Sequence, residues 1–199
     1  MNFSPSIVFF PGMILHELAH YFACVLLNVR VHKVKLFDFE SAFVVHDKAV
    51  AWKAVIITLA PFFLNNFLGL EIIKIAIQLF NNSFIFSIIL FWLSVSLFYF
   101  CFSSLQDAKN AFNSSIEFYD DHIFKKGNIF EKIFWLITFP FIFIPLIITL
   151  AFMLAFHYSF ALRILWIVFM LFFSLNPSIA LGVVSALNNL IAHLFSSFF

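Results

Sequence analysis

The chain has 199 residues, 64% of them hydrophobic and 11% charged, with a mean hydropathy of +1.06. Soluble domains are about half apolar and a quarter charged, so this composition argues against a soluble protein and predicts an integral membrane protein in contact with the lipid bilayer. A formal net charge of +1 gives no electrostatic case for a nucleic-acid partner, and two cysteines inside apolar runs, Cys24 and Cys101, do not make a disulfide framework.

In chain order, the first predicted span covers residues 6–27. It lacks a basic n-region and reads as a retained span rather than a cleaved signal. Inside it stands His16-Glu17-Leu18-Ala19-His20, an H-E-x-x-H pattern. Four residues apart on a helix, the two imidazoles leave one face about 6 Å apart along the axis and can share one zinc ion. Glu17 points off that face, beside the metal, where it can hold a water as general base. The alternative is three polar residues packed against neighbouring helices. An ionisable cluster inside a span costs several kcal/mol unless partnered, which favours a functional reading.

Residues 28–46 show partial period-two alternation of Val, Leu and Phe with one phase slip near Lys33, which predicts a short surface hairpin. A second span covers residues 51–70, interrupted at Pro61, where Asn65 and Asn66 can help satisfy freed carbonyls. Glu71, Lys74 and Gln78 then form a polar interfacial extension. A third span is predicted over residues 84–102, ending in a polar run from Ser103, and residues 117–126 read as a soluble stretch. A fourth covers residues 129–156. Asn176-Pro177 divides the apolar remainder into runs at 161–175 and 178–195.

The sequence therefore predicts an all-α polytopic membrane protein with about six transmembrane helices, or five with a kinked last helix, and a short β-hairpin after the first span. It forms a single integral membrane domain over residues 1–199, with a three-helix core at about 5–115 and C-terminal spans at 129–199. Basic residues gather after the first span (Arg30, Lys33, Lys35, Lys48, Lys53) and between the third and fourth (Lys109, Lys125, Lys126, Lys132). Both loops are expected in the cytoplasm, with the N-terminus outside.

HELAH on a first span, a strand-like loop, Ala60-Pro61 with Asn65 on the second span and Asp107 after the third together resemble the site-2 protease family of intramembrane zinc metalloproteases, over residues 9–115. That family commonly has Gly-Pro-x-x-Asn where this chain has Ala60-Pro61 with Asn65 one residue later. It has Leu-Asp-Gly where this chain reads Leu105-Gln106-Asp107-Ala108. The resemblance is to a divergent branch. It implies one zinc ion held by His16, His20 and Asp107, Glu17 as general base, and Asn65 as a candidate substrate contact. The implied substrate is a membrane protein cut at a transmembrane helix.

Depth also favours Asp107. The histidines lie about 12–18 Å from the cytoplasmic end of their span, so the site is nearer the cytoplasmic face, and Asp107 approaches from that side. The polar run from Ser103 is expected to unwind into a water-filled cavity and carry Asp107 to depth. Glu71 falls at the opposite face, Asp120 and Asp121 read as solvated loop charges, and His32, His46, His157 and His193 as interfacial, helix-end or core histidines. Two alternatives stay open. One is a membrane metallopeptidase with Glu117 as third ligand that cuts soluble segments; the other is a non-catalytic metal-binding membrane protein.

Overall fold

The computed structural model describes residues 5–37, 42–125 and 128–176. In chain order these form α1 (Pro5–Val8), α2 (Phe10–Leu26), β1 (Val31–Lys35), β2 (Phe43–His46), α3 (Ala51–Leu79), α4 (Phe84–Tyr99), α5 (Leu105–Asp120) with a π turn after it (Asp121–Lys125), α6 (Ile129–Tyr158) and α7 (Phe160–Leu175). The predominantly helical class and the hairpin agree with the sequence. Helices α3 and α6 are long and apolar enough to cross a membrane, while α2, α4 and α7 are apolar but shorter. The predicted run at 178–195, with His193, lies outside the described residues, as do Asp38 and Glu40.

Local chemistry sets the element ends. Pro11 lies in the first turn of α2, where its missing N–H is harmless. The helix stops at Asn28, whose φ of +53° is left-handed. There the Asn28 N–H donates to Val25 O (3.1 Å) and the Val29 N–H to Cys24 O (2.8 Å), the paired bonds of a Schellman stop. Lys53, at the start of α3, donates to the Leu27 carbonyl (2.8 Å) and fastens the two helix ends together. The hairpin is antiparallel, with Lys33 opposite Val45 and Lys35 opposite Phe43. Its register shifts between Val31 and Lys33, so the phase slip in the sequence is a bulge at His32.

Helix α3 is the hub on which α2, α4, α5 and α7 all pack. Its 29 residues run unbroken through Pro61, so the interfacial extension expected at Glu71–Gln78 is simply the end of the same helix. The backbones of α2 and α4 meet at Gly12. Its N–H donates to Ser96 Oγ (2.7 Å), and the Ser96 hydroxyl donates to Phe9 O (2.8 Å). A β-carbon on Gly12 would lie 1.9 Å from the Ser96 carbonyl oxygen, a clash that no side-chain rotation relieves. Gly12→Ala should therefore destabilise the fold by up to about 3 kcal/mol. A thermal melt in detergent that matched wild type would contradict this contact.

The third and fourth segments depart from expectation. Helix α4 ends at Tyr99, and residues 100–104 are non-helical. Within this break Cys101, Phe102 and Ser103 are buried in protein, one of the settings in which irregular backbone is tolerated at depth. The chain then re-enters a helix, because Ser104 and Asp107 form a reciprocal capping box. Residues 105–120, which include most of the polar run and the start of the expected soluble stretch, are one amphipathic helix, α5, and residues 121–125 form the π turn. The buried face of α5, Ala108, Ala111, Ser115 and Tyr119, packs between α3 and α6. Helices α6 and α7 are separated by Ser159 alone, and Arg163 donates to the carbonyls of Phe156 and His157 across that joint.

Candidate metal centre

His16, Glu17 and His20 are all buried on α2. Each imidazole meets a backbone carbonyl through Nδ1: His16 reaches Phe100 O at 2.7 Å and His20 reaches Ile57 O at 2.8 Å. A carbonyl oxygen can only accept, so both Nδ1 atoms must carry hydrogen and donate. In the neutral rings both Nε2 atoms are then bare acceptors. These two atoms face each other 3.2 Å apart. His20 Nε2 also lies 3.4 Å from Asp107 Oδ2, and the three groups can each offer a ligand atom within 4.8 Å of one another.

Three converging acceptors repel unless something positive lies between them. A second proton on His20 would relieve the two pairs that include it; a divalent cation relieves all three. Two imidazoles and a carboxylate suit zinc, and donors about 2.0–2.1 Å from a tetrahedral zinc stand about 3.3–3.4 Å apart, close to two of the three separations here, the third pair lying within 4.8 Å. The residues fit the metal. They are also held from behind, as ligand residues usually are. Asp107 Oδ2 accepts from the Ser104 amide (2.9 Å) and hydroxyl (2.6 Å), and the Asp107 carbonyl accepts from Thr58 Oγ1 (2.9 Å). Glu17 makes no hydrogen bond to Asp107 or the histidines that would tie it to the ligand set. It is near enough to His20 and Asp107 to interact with their charges.

Asn65 is fully buried, and its amide nitrogen is committed to two carbonyls, Gly12 O (3.3 Å) and Phe100 O (3.2 Å). Phe100 O is the acceptor that orients His16. Gly12 O lies four residues before His16, the position that helix geometry pairs with the His16 amide. Asn65 thus shares Phe100 O with the His16 ring and donates to the carbonyl that helix geometry pairs with the His16 amide. Asn65→Leu should weaken zinc affinity by about tenfold. Asn66→Leu, which removes an amide bonded instead to Phe62 O and Trp166, should not; equal effects would deny the link.

The other candidates lie elsewhere. Glu117 is ten residues, about 15 Å, along α5 from Asp107 and pairs with Lys48 beside the hairpin. It is not brought to His16 and His20. Glu71 pairs with Lys74 on an exposed face, and Asp120 and Asp121 pair with Lys125. His32 pairs with Asp47 (2.6 Å), and His46 Nδ1 donates to the Asp47 carbonyl (2.7 Å). Cys24 is packed among Ala23, Ala49, Ala54 and Ile57. His157, at the end of α6, is half-buried, within electrostatic reach of His16 and Asp107. Comparison with family models, curated proteins and solved structures returns no match.

Proposed function

We propose that this chain is a polytopic membrane zinc endopeptidase of the site-2 protease type, with about six spans and the N-terminus outside. The observation that carries this reading is the pair of bare, mutually facing Nε2 atoms beside the Asp107 carboxylate, with a glutamate next to the first histidine. The Lys48–Glu117 pair supports a common side for the two basic loops, since it joins one loop to the helix that leads into the other. A transporter would carry further ionisable groups deep in its spans; outside this cluster the acidic and basic side chains and histidines of the described apolar helices stand at helix ends (Lys53, Glu131, Lys132, His157, Arg163) or pair on an exposed face (Glu71, Lys74).

Held by His16, His20 and Asp107, a zinc ion would polarise a scissile carbonyl and acidify a water molecule. Glu17 takes the proton from the attacking water and returns it to the leaving amine. The Phe100 and Ile57 carbonyls keep both rings in the tautomer that leaves Nε2 free. Among the described residues the hairpin pairs with no third strand, and an extended substrate segment can add to its edge. A helical substrate hides its peptide bonds, so it must unwind before attack.

The test is a series of single-span substrates in liposomes, with Gly or Pro placed near the cut site or with a Leu-rich helix instead. Weakened helices should be cut faster and stiff ones slower, because unwinding exposes backbone groups that lipid cannot satisfy. Preference for a water-soluble peptide would contradict the reading.

A further inference from the structure

A helical carbonyl is normally taken by the amide four residues further on. For Ile57 that residue is Pro61, which has no N–H to give. The Ile57 carbonyl is therefore left without its helix partner in the middle of an otherwise continuous α3, among buried neighbours where an unpaired acceptor is costly. His20 Nδ1 supplies the missing donor at 2.8 Å. The next carbonyl, Thr58 O, is also used sideways, accepting from Ser103 Oγ at 2.5 Å. The Phe100 carbonyl that serves His16 is free for a related reason: it lies at the end of α4, where the helix runs out of amides.

We propose that Pro61 is a positioning residue for the metal centre. By withholding one amide proton it reserves the Ile57 carbonyl for His20, and so holds His20 with hydrogen on Nδ1 and Nε2 bare. The proposal rests on the zinc reading above for its consequence in metal binding, but its effect on the histidine tautomer stands without any metal.

Pro61→Ala restores the amide, which then competes for the carbonyl. Alanine is the better helix former, so the variant should fold at least as well as wild type. The full chain is labelled with 15N-histidine in detergent micelles, and metal-free spectra report which ring nitrogen of His20 bears hydrogen; zinc affinity is measured on the same samples. Wild type should keep hydrogen on Nδ1 at every pH, with Nε2 the nitrogen that gains or loses its proton. Pro61→Ala should show mixed tautomers and zinc affinity about tenfold weaker, with a melting temperature no lower. Pro145→Ala is the control, since the carbonyl four residues before it belongs to the exposed Phe141 in α6. Retention of the Nδ1–H form and of full zinc affinity in Pro61→Ala would overturn the proposal, as would an equal change in Pro145→Ala. A wild type that binds no zinc, but whose His20 tautomer still depends on Pro61, would sink the peptidase reading and leave this one standing.

Discussion

Replacing His16 or His20 with alanine should abolish zinc binding, and Asp107→Ala should reduce it strongly. Each histidine supplies one ligand nitrogen from a buried helix face, so its loss leaves too few donors to compete with water. Asp107 supplies the only carboxylate within 4.8 Å of both rings among the described residues. The Ser104 amide and hydroxyl both bond its Oδ2 and hold the carboxylate beside His20. Metal analysis of the purified variants reads the result directly. Normal zinc content in Asp107→Ala together with loss in Glu117→Ala would restore the alternative in which Glu117 is the ligand, despite the separation of the two along α5.

Glu17→Gln should have an equally large effect, confined to turnover. Glutamine keeps the size and the buried position but cannot accept a proton. Zinc content should stay near wild type while peptidase activity falls by about 10²–10⁴-fold, the range for a lost general base. The split between retained metal and lost cleavage distinguishes a base from a ligand. A Glu17→Gln protein that cleaves at the wild-type rate would remove Glu17 from the mechanism.

Much of this centre could be read in the sequence because helix geometry is local. The four-residue spacing of His16 and His20 fixes a common face wherever α2 lies, and the phase slip near Lys33 fixed the site of the bulge at His32. Longer-range features were harder to read. Helix α5 looked like loop because it is polar, although Ala108, Ala111, Ser115 and Tyr119 already repeat at helical spacing. The break between α4 and α5 has no glycine or proline to announce it; it follows from the capping box of Ser104 and Asp107, a signature of two residues. The groups that orient the histidines are backbone carbonyls, to which any residue type contributes equally. Only the Ile57 carbonyl has a trace in the sequence, namely the proline four positions later. Asn65 was visible as a buried amide, but its attachment to Phe100 and Gly12 depends on tertiary packing.

The most direct measurement follows zinc content and substrate cleavage on one preparation while the metal is stripped by a chelator and then returned. The substrate is a single membrane span in liposomes, with Glu17→Gln as the blank. One zinc per chain is expected, with cleavage falling in step with metal loss and recovering when zinc is restored. A folded chain that binds no zinc, or one that cleaves the span at the full rate after the metal has gone, would contradict the account.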